Sequence, residues 1–131
     1  MARMTFEGVD DVLDQLFKES ERLERKATEM LGEAGKVVVE AWQEAIDAHG
    51  HVETGDMRNS VRASAVKKNG EAYVTSIYPH GRDRKRQSNA EKAFILHYGS
   101  SKLKGDHFVD DAEAKAEEAV EQVMQNVWDR D

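Results

Sequence analysis

The chain has no cysteine and only one proline among its 131 residues. The first absence excludes a disulfide framework, a thiolate metal site and a thiol nucleophile. The second, together with a count of only nine glycines, excludes a linker or low-complexity chain. No apolar stretch approaches the ~20 residues of a membrane span, and none reads as a secretory signal. The expectation is a chain made in the cytoplasm with no membrane partner. Apolar residues are scarce at 39%, against 34% charged, where about 45–50% and about 25% are usual. At this length the chain forms one domain. Its core must therefore be thin, with much of the surface solvated or held against another copy.

Recognisable catalytic signatures are missing as well. There is no nucleophile elbow, Walker loop, dinucleotide fingerprint or zincin helix. Ser60 and Ser64 have no nearby base with an orienting acid. No cofactor, metal or catalytic residue is expected, and the chain does not read as an enzyme.

Acidic charge dominates, at −7 overall, but unevenly. Glu7 to Glu33 holds nine acids and four bases, and Asp110 to Asp131 eight acids and two bases. Between Arg58 and Lys104 the sign reverses, with eleven bases against three acids. An acidic total disfavours general nucleic-acid binding, though the central segment could meet phosphate or an acidic protein face. The plainer expectation is that the blocks neutralise each other within the fold or between subunits.

From Val9 to Ile46, apolar residues recur in steps of mostly three or four, through Val12, Leu13, Leu16, Phe17, Leu23, Ala27, Met30, Leu31, Ala34, Val38, Ala41, Trp42 and Ala45. This spacing predicts an amphipathic helix over 8–49. Unbroken, it would measure roughly 60 Å and overhang a domain whose radius of gyration is about 14 Å. Either Gly32 and Gly35 break or bend it, or the overhang packs on a neighbour. Gly50 supplies a C-terminal stop.

The texture changes at Thr54. Val61–Val66 and Ala72–Tyr78 carry alternating, β-branched and aromatic residues around Asn69-Gly70, whose residue types suit a type I′ turn. Pro79 ends the second strand. His80–Asn89 is polar and basic and reads as an exposed, mobile loop. Asn89 is expected to cap a short helix over 90–98, closed by Gly99. A second irregular stretch covers 99–108. Asp110 or Asp111 then caps a last helix over 110–128, with a buried stripe of Ala112, Ala116, Ala119, Val120, Val123, Met124, Val127 and Trp128. The order is that of an α+β domain: long helix, Thr-Gly motif and hairpin (54–79), basic loop (80–89), short helix, loop, final helix.

Two clusters bear on chemistry. His49, His51 and Glu53 alternate after the long helix and could present metal ligands for a hydrolase. Their place beside a glycine in a loop favours solvated polar residues instead. Arg82, Arg84, Lys85 and Arg86 could contact nucleic acid in a small binding or regulatory protein. No aromatics are interleaved for stacking and no helix is offered to a groove. His97 is expected to pack beside Tyr98.

Thr54-Gly55-Asp56-Met57-Arg58-Asn59-Ser60-Val61 resembles the Thr-Gly-x-(Leu/Met)-Arg-x-Ser-(Ile/Val) signature of a phage tail-component family. That family is typified by the gene-ten product of a lambdoid siphophage. Asn89–Ser100 is similar to the same family's Asn-Ala-Glu-x-Ala-Phe-(Ile/Val)-x-Glu-Tyr-Gly-Thr block, and Tyr78-Pro79-His80-Gly81 also fits. His97 departs from a usual glutamate, Ser100 from a frequent threonine, and Asp106-His107-Phe108 from Arg-Pro-Phe. The resemblance implies a non-enzymatic assembly protein of the virion neck or tail, acting in tail completion or head–tail joining through ring-type interfaces. The partners it implies are further copies of the chain and other neck or tail proteins. Among the shared residues, Gly55 suits a φ > 0 turn, and Thr54 and Ser60 can bond free backbone groups there. Arg58 can clamp a carboxylate with two parallel bonds. Phe94 and Tyr98 should anchor the short helix to the sheet, with Gly99 ending it. Arg82, Arg84, Lys85, Arg86, Lys102, Lys104 and Phe108 are the candidate interface residues.

Overall fold

The computed structural model describes residues 9–70 and 72–130, with residues 9–17 and Asn69 described by their backbone alone. The expected α+β order is present. A single helix, α1 (Val9–Ala48), runs for 40 residues without interruption. It continues through both glycines. Gly32 has open space around it, whereas Gly35 lies where a Cβ would come within 3.2 Å of the Ala63 Cβ. Gly35 thus allows close approach of the hairpin, and neither glycine breaks the helix.

The last helix, α4 (Phe108–Asp129), lies antiparallel along α1. Phe108 meets the far end of α1, its ring edge-on to Trp42 at 5.7 Å. Lys115 pairs with Glu44 and Arg130 with Glu33 at 3.0 Å. Lys26 reaches the carbonyl oxygens of Val127 and Trp128. The seam is made largely of Ala34, Ala41, Ala45, Ala112 and Ala116, all buried. Small side chains bring the two helices close and leave little core volume, which is the thin core expected from composition. Ile46, Phe108 and Val127 are its fully buried large residues, each contributing about 1.5–3 kcal/mol by leaving water. Two members of the expected stripes fall outside this core, since Leu23 and Trp128 are each 48% exposed. The stripe positions from Val9 to Phe17 lie in α1, with side chains outside the described residues.

Between the long helices sit a one-turn helix α2 (Asp56–Ser60), strands β1 (Val61–Ala63), β2 (Lys67–Asn69), β3 (Ala72–Val74) and β4 (Ile77–Pro79), and a short helix α3 (Asn89–Tyr98). The strands form one hairpin in two antiparallel pieces. β1 pairs with β4 in the register Arg62 with Tyr78, and β2 with β3 in the register Lys68 with Tyr73. Three residues, 64–66, therefore face two, 75–76, which is a bulge. Ser64 holds it: its carbonyl accepts the Thr75 hydroxyl at 2.7 Å and its hydroxyl accepts the Ser76 N–H at 3.0 Å. Asn69 pairs with Ala72 inside the ladder, and Gly70 alone of the expected Asn-Gly turn pair has a positive φ, 65°.

Both expected helix caps shift. Ser88 caps α3, its hydroxyl accepting the Glu91 N–H, while Asn89 is buried and donates to the His80 carbonyl at 2.9 Å. At α4 the residue before the helix is His107 at φ 54°. The Asp106 carboxylate takes the Phe108 N–H at 3.1 Å, and Asp110 and Asp111 occupy the first turn, where they suit the helix dipole. The loop between α3 and α4 is tied down. Asp106 and His107 donate their N–H groups to the Leu96 and His97 carbonyls, and Gly105 lies where a Cβ would be 2.3 Å from the His97 oxygen.

Candidate interaction surface

The Thr-Gly motif builds a corner at the end of α1. Gly55, at φ 84°, turns the chain into α2. Thr54 Oγ1 accepts the Asp56 N–H at 3.3 Å and the Ser60 hydroxyl donates to the Met57 carbonyl at 2.7 Å. Met57 is carried into the core. Arg58 does find a carboxylate, Asp47 of α1, but not with two parallel bonds. Its single Nε–H lies 2.9 and 3.0 Å from the two oxygens. Gln43 also donates to the Arg58 carbonyl at 3.3 Å, so the corner is fastened twice to α1.

The basic loop docks on this corner. Arg84 donates to Asp56 from its backbone N–H and from Nε and Nη2, at 2.9, 2.9 and 2.8 Å. These bonds hold the Asp56 carboxyl well below the usual carboxylate range. Lys85 pairs with Glu53 at 2.9 Å and pulls its carboxyl down in the same way. Asp83 organises the loop from within. It accepts Lys92 Nζ at 2.6 Å and the N–H groups of Lys85 and Gln87. The Lys92 bond leads the lowering of its pKa, followed by the Gln87 N–H. The loop is exposed as expected but hydrogen-bonded along its length, which departs from a mobile segment. The physical reason is Asp83, whose buried carboxylate closes the turn. Arg82, Arg86, Lys102 and Lys104 are exposed. Phe108 is 0% exposed and belongs to the core, so it is no surface residue of this chain.

Phe94 and Tyr98 do not anchor α3 to the sheet. Both are 62% exposed, with ring centroids 4.8 Å apart. They rim a groove of about 320 Å³ whose floor includes Trp42, Pro79 and His97. Tyr78, stacked on His80 at 3.9 Å, also lines this groove. His97 packs edge-on to Tyr98 as expected, and its Nδ1 accepts the Val109 N–H at 3.2 Å.

The histidines after α1 also gather, but not with Glu53, which faces Lys85. Asp106 Oδ2 lies 3.0 Å from His49 Nδ1 and 2.5 Å from His51 Nε2. His49 Nε2 lies 2.5 Å from Asp111 Oδ2. The Asp111 hydrogen bond leads the upward shift of the His49 pKa. For Asp106 burial is the largest influence and pulls upward, yet the His51 and His49 contacts with the Phe108 N–H bring the net shift downward. The two aspartates are more than fifty residues away along the chain, so local spacing gave no signal of them.

A family model described as "Bacteriophage HK97-gp10, putative tail-component" matches residues 10–95. The match takes in α1, the Thr-Gly corner, the hairpin, the basic loop and most of α3. No curated protein and no solved structure matches the chain. No helix among the described residues is long and apolar enough to cross a membrane.

Proposed function

Because the chain belongs to the HK97 gp10-like family of phage tail components, we propose that it works in tail completion or head–tail joining by packing against copies of itself and neighbouring neck or tail proteins in a ring. The family indicates a structural role in the virion. The finer reading is supported by the N-terminal part of α1. Among the described residues, the end of α4 is bonded to α1 at Lys26. From there the backbone of α1 continues N-terminally through the seventeen residues Val9 to Arg25, roughly 25 Å of helix at 1.5 Å per residue, with Arg22 and Arg25 sharing a pocket with Arg130. Every described side chain from Lys18 to Arg25 is exposed, Leu23 included. An apolar position left in water on an amphipathic helix, as Leu23 is, suits coverage by a neighbour.

The aromatic rim of Phe94, Tyr98 and Tyr78 and the outward cations Arg82, Arg86, Lys102 and Lys104 supply further contact chemistry, apolar and charged. Complementation of a phage lacking the gene tests the reading. Wild-type protein should restore joined, infectious particles, and R82E/R86E or F94D/Y98D should leave separate heads and tails while remaining folded. Normal joining with those variants would defeat the reading.

A further inference from the structure

The turn that ends α1 places two imidazoles side by side. Gly50, at φ 73°, donates its N–H to the Asp47 carbonyl and His51 donates its own to the Ile46 carbonyl, at 3.1 and 3.0 Å. That pair of bonds is the Schellman closure of a helix. It folds the chain back so that the rings of His49 and His51 stack with centroids 5.9 Å apart. From the other end of the fold, the loop before α4 brings in Asp106. Its Oδ1 is fixed by the Phe108 N–H, which leaves Oδ2 facing both rings. One ligand atom each from His49, His51 and Asp106 all lie within 4.8 Å of one another.

We propose that His49 Nδ1, His51 Nε2 and Asp106 Oδ2 bind a divalent first-row transition ion of the zinc type, with Asp111 as the outer carboxylate that orients His49. Zinc bonds of about 2.0–2.1 Å at a tetrahedral angle set ligand atoms about 3.3 Å apart. The separations of 3.0 and 2.5 Å on Asp106 reach that by widening less than about 1 Å. With Nδ1 on the metal, His49 keeps its proton on Nε2 and donates it to Asp111, the carboxylate–histidine–metal arrangement that fixes tautomer and ring direction. Two imidazoles and one carboxylate select zinc, cobalt or nickel over magnesium and calcium, which prefer all-oxygen sites. The side chains are 23%, 15% and 31% exposed, so an ion can enter and water can fill a fourth position. A bound ion would clamp the end of α1 to the start of α4.

A second group, His97, His107 and Asp110, is looser. Asp110 stands 4.0 and 3.9 Å from the two rings, and His97 Nδ1 is already occupied by the Val109 N–H. It serves as the internal control. Untagged, chelator-treated full-length chain is titrated with Co²⁺ followed by visible absorption, and with Zn²⁺ followed by calorimetry and thermal melting. Wild-type protein should take one equivalent of either ion, gain a cobalt ligand-field band and melt higher, while Mg²⁺ does nothing. H51Q, which keeps a hydrogen-bond donor for Asp106, and D106N should lose the band and the melting shift with unchanged far-ultraviolet dichroism. D111N should bind about 10–100-fold more weakly, and H107N should match wild type. No cobalt band in the wild-type protein, binding that survives both H51Q and D106N, or binding lost in H107N would overturn the proposal.

Discussion

Lys26 Nζ closes the end of α4, donating to the main-chain oxygens of Val127 at 2.9 Å and Trp128 at 3.1 Å. A cation here meets the last-turn carbonyls and the negative end of the helix dipole together. Lys26 is only 8% exposed, so the methylene stem packs while the ammonium is consumed by the helix terminus. K26M keeps the stem and removes the charged donor, leaving the Val127 carbonyl with the Arg130 N–H alone and taking the Lys26 bond from the Trp128 carbonyl. The expected loss is about 1–3 kcal/mol, read by urea unfolding with an unchanged slope.

Two glycines with opposite surroundings give a paired test of backbone packing. A Cβ on Gly105 would lie 2.3 Å from the His97 oxygen and 2.4 Å from the Tyr98 carbonyl carbon, and backbone cannot yield as a flexible side chain does. G105A should destabilise by about 1–3 kcal/mol and loosen the loop carrying Asp106. Gly32 sits mid-helix with nothing within 4 Å of a Cβ, so G32A should stabilise by about 0.5–1 kcal/mol. Thermal melting of the two variants beside wild type checks both signs.

How much of this was readable beforehand depended on range along the chain. The 3.6-residue stripe from Ala34 to Ile46 is a local signal repeated many times, so α1 was legible, as was the positive φ of Gly55, while the choice between a break or bend at Gly32 and Gly35 and an unbroken helix was not. Spacing also placed Phe94 and Tyr98 on one face of α3. It could not say whether that face meets the sheet or water, because the answer depends on how α3 docks. Ser88 and Asn89 are both capping residues, and only the burial of Asn89 against the His80 carbonyl decides between them. The meeting of His49 with Asp106 and Asp111 is a product of the antiparallel seating of α4 on α1, which no local pattern encodes. The same holds for Arg84 and Lys85, whose partners Asp56 and Glu53 lie about thirty residues upstream.

Acid should weaken the protein through the corner where the basic loop docks. The Asp56 and Asp83 carboxyls titrate below their ordinary values because Arg84 and Lys92 bond their charged forms. A carboxyl with a depressed folded pKa stabilises fully above its unfolded value, about 3.9. That contribution disappears as pH falls through the folded one. Stability should therefore hold from neutrality to about pH 5 as far as these groups are concerned, then decline. D56N should be less stable than wild type at pH 7, and the gap should narrow below about pH 4. Denaturant unfolding across a pH series reads this directly, and a constant gap down to pH 2 would contradict it.

The N-terminal part of α1 separates stability from assembly. Leu23 is half exposed, so among the described residues about half of its apolar surface is left in water. L23D should then change unfolding free energy by no more than about 0.5 kcal/mol, as surface substitutions do. If a neighbouring subunit covers that stripe, the same charge would be buried unpaired, at a cost no weak interface tolerates. The variant should stay folded and lose self-association or incorporation into particles, measured by light scattering and by the yield of joined virions. An L23D protein that unfolds early would place Leu23 in the core of its own chain. One that assembles normally would remove this part of α1 from the interface.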